Sequence, residues 1–306
     1  MIAILGGLGA AALWAAATLC SSRSSRMLGS RVVLAWIMIV GVAVGLPIAV
    51  ASPAPASVAS STWALLLLAG VCFVVGLQLS YAALRIGKVS IVAPIVSTEG
   101  AVAALISVVL GDPIGLLAGL MLVAIAVGVG LSSLERARPD VAAGDFNLTA
   151  DALESPASAD QPTAELPVAT RRAIALSVVA ALVFGVGLVA AGRSAPLVPV
   201  AWVAMSARLI GVVGVAIPLL IQRRLRLTRA ALPLVIIAGT GEVVGSMLYA
   251  WGSRESIAVA AVMGSQFATL AAVAAFVLFG ERLARVQMVG VILIVAGTTI
   301  LAGVSA

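Results

Sequence analysis

The chain has 306 residues, 62% of them hydrophobic and 10% charged, with a net charge of +6 and a mean hydropathy of +1.22. A soluble globular protein is nearer a quarter charged, so this is the composition of an integral membrane protein, with the lipid bilayer as its solvent. The lack of histidine excludes Ser-His-Asp and Cys-His catalysis and imidazole metal sites; the basic residues form short clusters between apolar runs, a pattern of membrane topology and not of nucleic-acid binding.

A helix needs about 20 apolar residues to cross the hydrocarbon core. Candidate spans lie near 2–20, 32–51, 63–84, 89–110, 114–133, 173–192, 196–221, 230–252, 256–279 and 286–304. The first lacks a basic n-region, and "ATLC" puts Leu19 where a lipoprotein signal needs a small residue, so it is read as a membrane helix. Cys20 and Cys72 sit in or beside apolar runs as small hydrophobes, with no disulfide framework. The expected fold is all-α, with ten transmembrane helices as two inverted five-helix repeats, and the domain boundaries are 1–133, 134–172 and 173–306. The middle segment is rich in Ala, Pro and Ser with seven acidic residues, and reads as a flexible linker without a core.

The halves look like copies. "LAGVCFVVG" (68–76) matches "IAGTGEVVG" (237–245), and each is followed by a tyrosine, Tyr81 and Tyr249. "ISVVLGD" (106–112) matches "AAFVLFGE" (274–281), and "LVAIAVG" (122–128) matches "VILIVAG" (291–297). Such duplication marks many transporter folds. Because five is odd, the second copy is expected upside down, and the charges agree. Loops after the odd-numbered helices hold fifteen Lys/Arg, and the alternate set holds only Arg193 and Arg254. The positive-inside rule makes the arginine-rich set cytoplasmic, with linker 134–172 on that side and both termini outside.

The chain resembles the EamA-domain family of the drug/metabolite transporter superfamily. The characteristic stretch is "LFGERLARVQMVGVILIVAGTTIL", Leu278 to Leu301, with Glu281 in the turn before the last helix. The family's arginine early in the second helix of a repeat is matched by Arg208 in "WVAMSARLIG". The first copy departs from the pattern, with Asp112 and a proline in "VLGDPIG" and Ile37 near the arginine's position. The resemblance implies ten helices in inverted repeats around a central cavity, and export or import of amino acids, other small metabolites, nucleotide sugars or drugs. It also implies both termini inside, against the local charge bias, which is followed for this chain.

Three charges fall at membrane depth: Glu99, the only charged residue between Lys88 and Asp112, then Arg208 and Glu242. Each costs about 2.5–3.5 kcal/mol near the bilayer centre, and such residues face an interior or a water-filled path. Arg208 and Glu242 lie on consecutive helices at similar depth and read either as a structural ion pair or as site residues. Glu99 has no charged partner in sight. Ser97, Gly100, Ala101, Ala104, Ser107 and Gly111 form a small-residue packing stripe, with Glu99 away from its centre. Ser265 and Gln266 of the second copy align within one residue of Ser97 and Thr98. Glu99, Glu242, Arg208, Gln266, Thr98 and Gln78 are therefore the expected site at the repeat interface. Trp14 is added as an aromatic wall, with a lipid-facing or core role as its alternative.

Other patterns take plainer readings. "GTGEVVG" (239–245) lies inside a span, so helix packing displaces a phosphate loop. Gly115 and Gly119 form a GxxxG that packs or supports a homodimer. Arg223 to Arg229 anchor topology first and contact anionic lipid second. The expected function is a secondary transporter in the plasma (inner) membrane, working by alternating access without a cofactor. It exports a small metabolite, amino acid or amphipathic cation in exchange for protons, which compete with substrate for a carboxylate out of water. Arg208 offers the opposite possibility, holding a substrate carboxylate. Uptake or facilitated diffusion without proton coupling is the alternative, and a non-transporting scaffold or lipid enzyme the different class.

Overall fold

The computed structural model describes residues 1–52, 57–87, 89–112, 115–132, 168–267 and 269–270, with isolated positions from 289 to 300. Most of the predicted span 286–304, most of the second half of 256–279, the Glu281 turn, Lys88 and most of the 134–172 linker lie outside the described residues. Within them the structure is helical, without strands. In the first half run α1 (Ile2–Leu28), α2 (Ser30–Ala51), α3 (Ser60–Ile86), α4 (Val89–Val96), α5 (Glu99–Val109) and α6 (Leu116–Ser132). In the second run α7 (Val168–Ser194), α8 (Val200–Gly211), a π-helical turn (Val212–Ala216), α9 (Ile217–Ile221), α10 (Leu232–Ser253) and α11 (Ile257–Gly264). Among the described residues six segments, with α8 to α9 taken as one, are long and apolar enough to span a membrane.

Large apolar side chains point outward along these helices, such as Leu67 at 59% and Val213 at 64% exposed. Water would make that costly, whereas lipid tails are as apolar as the side chains. The interior is instead built from small residues that let backbones approach. A Cβ on Gly6 of α1 would stand 2.5 Å from the Leu248 carbonyl oxygen of α10. Gly29 joins α1 to α2 in a single residue at φ +88°, a left-handed conformation that suits glycine.

The most extensive helix contacts are α1 with α10 and α3 with α7, repeat-equivalent pairs. Gly6 meets Gly252 while Gly241 meets Leu13, so α1 and α10 are antiparallel. Gly87 meets Ala173 while Gly187 meets Cys72, so α3 and α7 are antiparallel. With α1 and α3 pointing one way, α7 and α10 point the other: the described long helices of the two halves run in opposite senses.

Four predicted elements change. The span 89–110 is two helices, α4 and α5, with a turn at Ser97–Thr98. The span starting at 256 likewise breaks after α11, at Ser265–Gln266. At each break a hydroxyl bonds the carbonyl three residues back: Thr98 to Ile95 at 2.7 Å, Ser265 to Val262 at 2.9 Å. The next amide also tightens to an i−3 bond, Thr98 N–H to Ile95 and Gln266 N–H to Met263. Side-chain competition of this kind loosens the helical ladder. The two breaks also meet, because a Cβ on Gly100 would stand 2.5 Å from both the Ala261 carbonyl and the Ser265 hydroxyl. The predicted small-residue stripe is thereby cut between Ser97 and Gly100, so it is not one continuous face. In the 196–221 span, Pro218 lacks the N–H that would bond back, and the wider π turn precedes it. Finally α7 begins at Val168, ahead of the expected 173, because Arg171 and Arg172 extend the helix beyond the apolar run.

Candidate functional site

The described charges sort by depth. Arg23, Arg26, Arg31, Arg85, Arg171, Arg172 and the four arginines of 223–229 gather at one end of the bundle, all exposed. The opposite end holds an Arg193–Asp112 pair at 2.8 Å, Arg254 bonded to the Ala195 and Val198 carbonyls, and Glu255. Glu255 accepts from the amino terminus at 2.9 Å and from the Ala3 N–H at 2.6 Å, closing the end of α10 onto the start of α1. These donors hold its carboxyl below the usual range, the amino terminus first.

Between the two ends lie Arg208, Glu242 and Glu99, respectively 1%, 8% and 5% exposed. Arg208 leaves α8 one turn before the π turn, its stem laid against Gly41 of α2, where a Cβ would stand 2.6 Å from its Cδ. Its Nη2 donates to the main-chain carbonyl of Glu242 at 3.1 Å and to the Ser246 hydroxyl at 3.2 Å. The Glu242 carboxylate is 3.7 Å away, an ion pair longer than a hydrogen bond. Ser246 donates in turn to the same Glu242 carbonyl at 2.7 Å. Arg208 is therefore fastened chiefly to the backbone of α10. Of the two readings open in the sequence, the ion-pair geometry is present, with a serine and a carbonyl added.

Tyr81 of α3 and Tyr249 of α10 complete the surroundings, although the sequence marked them only as a repeat feature. The Tyr81 hydroxyl lies 3.5 Å from Glu242 Oε1. The Tyr249 hydroxyl donates to the Leu188 carbonyl at 2.8 Å, and its ring packs on Trp14 with centroids 6.1 Å apart. The Trp14 Nε1 donor is buried without a hydrogen-bond partner. A water-sized void of about 10 Å³ adjoins Phe73, Ser246 and Tyr249.

Glu99 opens the first turn of α5, just after the Ser97–Thr98 break. Among the described residues its carboxylate has no hydrogen-bond or ion-pair partner. It lies within electrostatic reach of Glu242 and Tyr249. The helix N-terminus beneath it favours negative charge. Gln266 is buried at the facing break, its Nε2 directed to the Met263 sulfur at 3.4 Å.

Two of the expected residues are not brought to this cluster. Thr98 is exposed, and its hydroxyl serves its own helix turn. Gln78 turns to Ser30 of α2 at 3.3 Å and lines a separate groove with Arg31. Alignment of the copies supplied their positions along the helices, but not the rotation that the α4–α5 break and the α2–α3 contact impose.

Apolar spans around a buried polar cluster, in two halves of opposite sense, define a multi-pass helical membrane protein with a two-repeat architecture. The model of the EamA-like transporter family matches residues 1–134 and 171–303, so the chain belongs to that family. The unmatched stretch between these blocks falls inside the acidic linker. No curated protein matches the chain. Among solved structures, one described as "Crystal structure of protein" shares the fold with a TM-score of 0.69 and 16% identity, covering 99% of this chain and 97% of its own.

Proposed function

We propose that this chain is a secondary active transporter of ten helices in two inverted five-helix repeats. It exports a small metabolite, amino acid or amphipathic cation in exchange for protons. One observation carries the reading: Glu99 is a buried carboxylate without a partner among the described residues, set where a membrane helix is broken. A charge at that depth costs about 2.5–3.5 kcal/mol, and a proton or a cationic group on the carboxylate offsets it.

The charges support exchange. With both carboxylates ionised, Arg208 offsets one and the cluster keeps a single negative charge. A proton or a monovalent cation on Glu99 neutralises it, so the two compete for the same oxygens. Trp14 and Tyr249 offer an aromatic wall to an organic cation. The meeting breaks at Ser97–Thr98 and Ser265–Gln266 allow each half of a spanning helix to tilt separately, which alternating access requires. Membership of the EamA-like family supports a transporter over an enzyme or a scaffold. The arginine-rich end faces the cytoplasm of the plasma (inner) membrane by the positive-inside rule, with both termini outside.

The test is counterflow in proteoliposomes with an imposed pH gradient, on the wild type and Glu99→Gln. The amide has the size of the acid but takes up no proton. The variant is expected to insert and fold normally and to lose transport driven by the gradient. Wild-type rates in Glu99→Gln would sink the proposal.

A further inference from the structure

A groove of about 340 Å³ lies away from the carboxylate cluster, on the outer surface between α2, α3 and the π turn. It is lined by Arg31, Val74, Val75, Gln78, Leu79 and Val215. Apolar stripes that face lipid flank it on both sides. On α3 they are Leu67, Leu68, Val71 and Val75, 41–59% exposed; on the π turn and α9 they are Val213, Ile217, Leu220 and Ile221, 43–77% exposed. The groove therefore opens to the bilayer and not to the bundle interior.

Its polar end is cationic. Arg31, in the first turn of α2, is exposed at the arginine-rich end. The 223–229 loop is held over that turn, because Trp36 donates to the Arg226 carbonyl at 3.0 Å. Leu225 packs with Val32 and Val215 around Ala35, Ala216 and Leu219, which keeps the loop beside the π turn. Of the carboxylates among the described residues, Asp112 and Glu255 lie at the far end, and Glu99 and Glu242 lie inside. Gln78 lines the groove with its amide donating to the Ser30 hydroxyl at 3.3 Å.

We infer that this groove binds an anionic glycerophospholipid of the arginine-rich leaflet. The phosphate sits on Arg31 at the arginine-rich end, and an acyl chain lies along Val74, Val75, Leu79 and Val215. The match is of charge to charge and apolar wall to hydrocarbon. Arginine stems reach along apolar surface to keep the guanidinium at the headgroup level. The inference is independent of what the bundle transports.

The test is native mass spectrometry of the full-length protein in detergent, offered phosphatidylglycerol, phosphatidic acid and phosphatidylcholine in equal amounts. Like phosphatidic acid, phosphatidylglycerol is expected to be retained over phosphatidylcholine. Arg31→Gln is expected to lower its retention about fivefold, as one basic residue at a membrane surface contributes. Val215→Trp fills the groove without touching a charge and is expected to do the same, while Arg193→Gln at the opposite end changes nothing. Unchanged retention in both Arg31→Gln and Val215→Trp would overturn the inference. So would an equal loss in Arg193→Gln, which would mean diffuse charge attraction only. Retention that appears only after proteolytic removal of the acidic 134–167 segment would make that segment the occupant, and would overturn it as well.

Discussion

Arg208 reaches Glu242 at two points, donating to its main-chain carbonyl at 3.1 Å and standing 3.7 Å from its carboxylate. The backbone contact is the shorter, so neutralising the carboxylate leaves the arginine tethered. Removing the arginine leaves a carboxylate in the bilayer interior. Arg208→Met is therefore expected to destabilise the protein by about 3–5 kcal/mol, and Glu242→Gln by much less. A double-mutant cycle on denaturation in detergent checks this, with Glu242→Gln recovering part of the loss in the Arg208→Met background.

Glu99 gives the opposite result. It has no partner among the described residues to strand, so Glu99→Gln is expected to hold or raise the thermal midpoint in detergent while gradient-driven transport disappears. A midpoint well below the wild type would show a structural contact to this carboxylate.

The Tyr249 hydroxyl ties α10 to the Leu188 carbonyl of α7 at 2.8 Å. Tyr249→Phe leaves that buried carbonyl without this donor, at a cost of about 1–3 kcal/mol. Tyr81→Phe loses only the 3.5 Å contact to Glu242 and is expected to shift the unfolding midpoint less. Comparing the two midpoints decides the order.

Glycine packing separates two positions of the same residue type. Gly6→Ala pushes a methyl to 2.5 Å from the Leu248 carbonyl, backbone that no rotamer change can clear, and should cost about 1–3 kcal/mol by forcing α1 from α10. A Cβ at Gly115 meets nothing within 4 Å, so Gly115→Ala should leave monomer stability unchanged. If the GxxxG at Gly115 is a dimer face, the same variant weakens self-association, which analytical ultracentrifugation in detergent reads directly.

Glu255 predicts a pH dependence at the arginine-poor end. Its carboxyl is held below the usual range by the amino terminus and the Ala3 N–H. A depressed acid stabilises the folded state above its ordinary pKa, and that stability is lost as pH falls through the lowered value. With the side chain 39% exposed, solvent screening keeps the effect below about 1 kcal/mol. The midpoint difference between wild type and Glu255→Gln should therefore shrink as the pH drops from neutral into the acid range.

The sequence by itself determined the solvent, the duplication and the charge asymmetry. Apolar runs set where α1, α2, α3, α7 and α10 cross, because a span needs only enough hydrocarbon length and that is a local property. It also showed Glu99, Arg208 and Glu242, since a charge inside a span is costly wherever it points. The tertiary structure alone decided which way side chains turn. It broke the 89–110 and 256 spans at Ser97–Thr98 and Ser265–Gln266, where hydroxyls compete with the helical ladder. It also turned Gln78 to Ser30, left Thr98 exposed, and brought Tyr81, Tyr249 and Ser246 around the charges. These outcomes depend on rotation about helix axes and on backbones pressed together at glycine. In lipid, hydropathy reports neither, because an apolar face satisfies the bilayer and the bundle interior equally well.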